Sequence, residues 1–249
     1  MRNQSWLLVS LVGVFSPVAA WAESGAADFS LKARQDGGFF AGVDVLTGKA
    51  YGSSDTKDGG APFAGGGVVD EVKFKRTTGL GGHVGYRFDS AWSVFVSYQH
   101  SRGDVSWNAD FPMLGVASSY KGKATSNIVM GNVAYDLALS KATALRLSGG
   151  VGVAYNKLAD VEEHNRPGGE YLSELAEETK RNWAAQVGVG LRHRVTTNTE
   201  LGLDLLATYT GGFETGDSRF GNLGETEIKP YRIDDVWRAD LNASVRYTF

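Results

Sequence analysis

The stretch that decides the fold is the last one, "WRADLNASVRYTF", residues 237–249. Taken in steps of two it separates cleanly. Trp237, Ala239, Leu241, Ala243, Val245, Tyr247 and Phe249 are apolar, and Arg238, Asp240, Asn242, Ser244, Arg246 and Thr248 are polar. Successive side chains of a β-strand point to opposite faces, so a period of two describes a strand with one apolar and one polar face.

The pattern recurs along the chain. It is found at 72–88, 92–98, 129–137, 143–155, 183–195 and 201–209, and more weakly in "GGFFAGVDVLTG" near residue 38. With 237–249 this predicts eight strands. Short connections at 89–91, 138–142 and 196–199 alternate with long polar ones at 50–70, 108–121, 158–180 and 211–234. That rhythm predicts an all-β, eight-stranded antiparallel up-and-down barrel.

Which face looks inward follows from size. The apolar lists carry Trp, Tyr, Phe, Leu and Val, whereas the polar lists are dense in Gly, Ser and Ala. An eight-stranded interior is narrow and suits the small residues. The bulky face then points out, which a soluble barrel or sandwich would not allow and a lipid-facing wall requires. Aromatic residues stand at both ends of this face. Phe88, Trp92 and Tyr135 lie by the short turns, with Tyr247 and Phe249. Phe74, Tyr98, Tyr155, Trp183, Tyr209 and Trp237 lie by the long loops. Two such girdles, about ten residues apart, match an apolar band of ~25 Å.

Composition narrows the function. The 249 residues include no Cys, which excludes a disulfide framework and thiolate chemistry. With 25 Lys and Arg against 28 Asp and Glu there is no general attraction for nucleic acid. Arg2, the apolar run Trp6–Phe15 and the small-x-small pattern Ala20-Trp21-Ala22 predict a secretory signal over 1–22. An N-terminal anchor would need a longer apolar core. Residues 23–37 read as a short periplasmic segment, and 38–249 as the barrel with four long extracellular loops.

These features resemble the small eight-stranded outer-membrane β-barrel proteins of Gram-negative bacteria, the superfamily of the OmpA barrel, outer membrane protein X and the opacity-type proteins. The resemblance spans about Gly38 to Phe249. It implies residence in the outer membrane as a monomer, among outer-membrane lipid and lipopolysaccharide. It also implies that Leu241, Val245, Tyr247 and Phe249 form the assembly signal read by the barrel-assembly machinery.

Functional candidates are few. The inward parity carries Asp44, His83, Arg87, Asp136, Arg146, Arg192, Arg194, Asp204, Arg238, Asp240 and Arg246. Unpaired charge in a narrow lumen is costly, so these are expected to pair as a plug, or alternatively to line a narrow ion path. Catalysis would need Ser, His and carboxylate to converge. His100 and His193 fall on the outward parity, His164 lies in an acidic loop, and His83 is flanked by glycines, so a lipid-modifying enzyme is the weaker reading. "DVEEHN" (160–165) lacks the spacing of a metal site, and no cofactor is expected. Recognition is left to the loops, where an extracellular ligand or host surface is the expected partner. Within them Tyr171, Leu172, Leu175 and Ala176 predict a short helical face. Phe213, Phe220 and Tyr231 either contact a partner or fold back over the barrel mouth.

Overall fold

A computed structural model describes residues 37–54, 56, 67–222 and 224–249. The expected signal (1–22) and all of the following segment but Gly37 lie outside the described residues, as do 57–66 of the first long connection.

The described residues form twelve β-strands and no helix. Eight make the wall: β1 (Gly38–Ser53), β3 (Arg76–Arg87), β4 (Trp92–Phe111), β5 (Val116–Ala138), β6 (Thr143–Arg166), β8 (Glu178–Arg194), β9 (Thr199–Glu214) and β12 (Arg232–Thr248). The other four are short: β2 (Val68–Phe74), β7 (Tyr171–Leu175), β10 (Ser218–Gly221) and β11 (Gly224–Glu227). Wall neighbours pair antiparallel in the order β1–β3–β4–β5–β6–β8–β9–β12, and β12 returns to β1 with Val43 opposite Val245. The ring is closed, and its backbone donors and acceptors are satisfied by neighbours.

The three short turns are built alike. Asp89 Oδ1 accepts from the amides of Ala91 and Trp92, both at 2.7 Å. Ser140 Oγ accepts from Ala142 and Thr143, and Thr196 Oγ1 from Asn198 and Thr199. Asp, Ser and Thr each close the chain locally, which keeps these connections short.

The other end departs from expectation. Most of the long connections are strand. β4 and β5 run through 108–121 as one tall hairpin, turning only at 112–115. The predicted helical face at 171–176 is strand β7, paired to β6 with Val161 opposite Leu175. An isolated turn of helix buries little, whereas Ser173 and Leu175, buried on either side of exposed Glu174, let the segment join a ladder. The segment 72–88 is not one strand. It breaks at Lys75 into β2, whose ladder among the described residues is with β4, and β3, which also pairs with β1.

Three acidic residues bend this end. Glu71, Asp160 and Asp235 have φ near +50°, each beside a register shift. A bulge inserts one residue and inverts the parity beyond it. So Leu158 and Val161 both point inward, as do Ile233 and Val236. Phe74 is likewise turned inside and 5% exposed, a correction to its place in the upper girdle.

The result is a two-storey interior. Toward the short turns most inward side chains are polar or charged, with Phe40, Met130 and Leu206 buried among them. Above Ser101 the same inward row of β4 becomes Val105, Trp107, Ala109 and Phe111. These pack with Phe74, Tyr120, Leu158, Phe213, Tyr231 and Ile233 into a single apolar core. The wall is polar inside and apolar outside below, and apolar inside with a polar exterior above. That is the expected inversion where a barrel passes from hydrocarbon into water. We call the upper storey the crown.

Candidate functional site

The lower lumen is filled by charge in contact with charge. Asp136 and Arg146 stand directly opposite on β5 and β6 and are joined by two bonds, Nε to Oδ1 and Nη2 to Oδ2, each 2.6 Å. Arg87 Nη2 lies 4.0 Å from the same Asp136 and donates to Glu200 at 3.0 Å. Glu200 also accepts from Arg246, its register partner on β12. This tier is buried, with Arg87, Asp136, Arg146 and Arg246 each under 5% exposed.

One layer up, Arg192 meets Asp204 at 2.8 Å. Asn242 Nδ2 bridges Asp204 and Asp44 at 3.3 and 3.1 Å, and Asp44 Oδ2 lies 2.8 Å from His83 Nδ1. The glycines of the inward lists make room for these groups. A Cβ on Gly190 would fall 2.1 Å from Asp204 Oδ1, and one on Gly202 2.4 Å from Arg192 Nη1. The third tier is Arg238, bonded to Asp240 at 2.7 Å and to Ser101 Oγ.

Ten of the eleven inward candidates are therefore brought into these three tiers. Arg194 is not among them. It sits at the short-turn mouth and donates to the backbone carbonyl of Lys141. Glu200 is the member that parity reading left out, because it falls between the turn 196–199 and the strand begun at 201. Extending the even-numbered inward row of Gly202 and Asp204 back by one step finds it. With Glu200 the tiers hold five arginines and five carboxylates. The cavity among Asp44, His83, Arg146, Arg192 and Asp204 measures about 40 Å³, room for only a few waters.

The crown has its own polar centre. Glu163 Oε1 accepts from Ser118 (2.8 Å) and Tyr120 (3.0 Å), and Oε2 from Ser173 (2.6 Å) and Arg219 (2.7 Å). Burial pushes its carboxyl up, but these bonds and the Arg219 charge outweigh that and hold it below the usual range. Tyr120 also bonds the Tyr231 hydroxyl at 2.8 Å and stacks on Trp107 at 5.3 Å. Burial, then Tyr231 and Glu163, push the Tyr120 hydroxyl well above its ordinary value. Of the three loop aromatics, Phe213 and Tyr231 fold inside, and Phe220 remains 45% exposed.

The outer wall carries the aromatics in two sets. Trp92 packs on Tyr135 at 4.9 Å, with Phe88, Tyr247 and Phe249 exposed at the same end. At the crown border Trp183, Tyr209 and Trp237 form a row with centroids 4.7 and 5.1 Å apart, and Tyr98 and Tyr155 are exposed nearby. Leu241 and Val245 face outward between these sets.

Among the described residues the histidine side chains meet Asp44, Asn127, Thr143 and Glu162, none of them serine. No group of three or more His, Cys, Asp or Glu among the described residues could hold a metal ion. Among the described residues no helix is long and apolar enough to cross a membrane, which says nothing about crossing by strands.

A closed ring with an apolar exterior, aromatic borders and a charged interior defines a transmembrane β-barrel. The chain belongs to the outer membrane protein beta-barrel domain family, whose model matches residues 7–249. It is a protein of the bacterial outer membrane. Solved structures of similar fold include the outer membrane protein OprG from Pseudomonas aeruginosa, with 16% identity, a TM-score of 0.50, and coverage of 85% of this chain and 96% of that one. Neisserial surface protein A has 14% identity and a TM-score of 0.46, covering 85% and 97%. The outer membrane protease OmpT from Escherichia coli has 10% identity and a TM-score of 0.47, covering 85% and 97%. No curated relative matches the sequence. The neighbours include proteins of several functions, a protease among them, so the likeness carries the fold and no particular activity.

Proposed function

We propose that this chain is a structural and surface-interaction barrel without catalytic activity, plugged by its own ion pairs, with the crown as its contact region. The observation that carries this reading is the matched set of five arginines and five carboxylates in the lower lumen. Removing water from such groups is offset only where each finds a partner, and a lumen so occupied leaves no column of water for solutes. In this reading the crown faces outside the cell and the three short turns face the periplasm. Leu241, Val245, Tyr247 and Phe249 serve as the assembly signal.

The crown suits contact. Met113 and Leu114 are 79% and 62% exposed at its tip, and Tyr171 and Phe220 stand on its flank. Strand β11 pairs only with β10 among the described residues and leaves a free edge. Exposed aromatics and an open edge are features that engage partner chains.

The test is conductance of the purified barrel in a planar bilayer. Small or absent single-channel current is expected. A stable, large conductance would replace this reading with that of a pore. Altered lipid A after expression in cells would replace it with that of an enzyme.

A further inference from the structure

Above the aromatic row at the crown border the wall opens between two strands. The β8–β9 ladder ends with Ala185 opposite Tyr209, yet β8 reaches up to Glu178 and β9 to Glu214. Gly211, at φ +76°, stands where they part. There the side chain of Asn182 takes the place of a ladder partner. Its Nδ2 donates to the Gly212 carbonyl at 2.9 Å, and its Oδ1 accepts from the Gly212 amide at 3.3 Å. Higher up, the Gly216 amide donates to the Ala176 carbonyl at 2.7 Å. Between these two closures lies a slot of about 440 Å³. Glu178, Thr179 and Arg181 line one side, and Glu214, Asp217 and Pro230 the other. Clefts of this size hold small ligands.

Both sides of the slot are strand edges. Backbone hydrogen bonding alternates along an antiparallel strand. On β8 the Arg194 amide donates to Ala142, beside β6, and the Val195 amide to Thr199, beside β9. The β6–β8 register runs without a shift up to Glu178, so Thr179 and Arg181 also turn their backbone groups to the β9 side, into the slot. Across from them the Thr215 amide donates to the Tyr231 carbonyl, so Glu214 turns its own backbone groups the other way, toward β8. The Thr179 amide is held at 2.9 Å by the Glu178 carboxylate. Lys180 and Glu214 span the gap as an ion pair at 3.0 Å. Charge is left over at the two ends. Arg181, at the lower end, is exposed and has no acidic partner among the described residues. Glu178 and Asp217, at the upper end, are exposed and have no basic one. From Glu178 to Arg181 is about 10 Å along the strand, and an extended tripeptide spans about the same.

We propose that this slot binds a short free peptide in extended form, antiparallel to β9. The peptide's amides and carbonyls pair with the edges of β8 and β9, as in other cases of strand addition. Its ammonium group lies beside Glu178 and Asp217. Its carboxylate lies on Arg181, whose donor fork is suited to it. Recognition uses the backbone and both chain ends, so the site tolerates variation in side chains. Binding in detergent depends neither on which way the crown faces nor on whether the lumen conducts.

The experiment titrates the purified, refolded barrel in detergent, by calorimetry, with trialanine, N-acetyl-trialanine, trialanine amide and free alanine. Trialanine is expected to bind at least tenfold more tightly than each of the other three. R181Q should bind trialanine and its amide equally, while still rejecting the acetylated form. E178Q/D217N should bind trialanine and its acetylated form equally, while still rejecting the amide. E225Q, on β11 outside the slot, should keep the full preference. No binding of trialanine at millimolar concentration, equal affinity for all four compounds, unaltered preferences in the slot variants, or the same losses in E225Q would overturn the proposal. Sensitivity to the amide alone would reassign the slot to the C-terminus of a longer chain and overturn it too. All substituted side chains are exposed, and retained heat-modifiable gel mobility verifies that each variant is folded.

Discussion

Arg146 holds Asp136 by two parallel hydrogen bonds of 2.6 Å across adjacent strands, with both side chains nearly inaccessible to solvent. A pair of this kind contributes little over two well-packed apolar residues, but loss of one member strands the other charge. Asp136→Leu should therefore destabilise the barrel by about 3–5 kcal/mol. Asp136→Leu combined with Arg146→Leu should recover most of the loss. Urea unfolding in lipid vesicles measures both. A single-variant cost below about 1 kcal/mol would mean that water reaches the pair.

The crown should loosen in acid. Burial raises the Glu163 carboxyl, but bonds from Ser173, Arg219 and Ser118 lower it further, so its folded value lies below the ordinary 4.5. A carboxyl depressed by folding gives stabilisation that is complete above its unfolded pKa and is lost as pH falls through the folded one. Amide exchange in β7 and β10 should rise as pH drops below about 4. Glu163→Gln should exchange faster at neutral pH and lose that pH dependence. The same acid response in the variant would assign it to another group.

Orientation can be read by single-cysteine labelling, because the chain has no cysteine of its own. Met113→Cys at the tip of the β4–β5 hairpin should react with a membrane-impermeant maleimide on intact cells. Thr197→Cys in the short turn should react only after the outer membrane is opened. The reverse pattern would turn the barrel over.

Deleting Phe249 separates assembly from stability. The ring is 72% exposed and touches Tyr247 at 5.3 Å, and the residue's amide donates to Phe39 O at 2.9 Å. One surface aromatic and one backbone bond anchor a small part of the girdle. The deletion should lower outer-membrane levels in cells severalfold while leaving the unfolding temperature of refolded protein within a few degrees. Normal levels in cells would remove the assembly role from this residue.

The alternation in 237–249 was enough to identify a strand with one lipid-facing side, and seven similar segments were enough for an eight-stranded barrel. Period-two patterning is local, and within hydrocarbon the surrounding medium is uniform, so each strand declares its outward face independently. The same uniformity made ten of the eleven lumen candidates legible from parity alone.

The tertiary structure decided the rest. The crown escaped because its face preference is opposite. Once the wall stands in water, Val105, Trp107 and Phe111 continue the row of Ser97 and Ser101 with inverted chemistry. Tracts such as 108–121, polar on their outer face, then resemble loops. Single-residue bulges at Glu71, Asp160 and Asp235 reversed parity without any signal in composition. Which acid meets which arginine depended on closing the ring. Glu200 and Arg87 lie 113 positions apart, and only the circular order of strands places them 3.0 Å from each other. Sequence alone therefore determined the medium each strand faces below the crown. Closure, bulges and the passage into water determined which side chains meet inside.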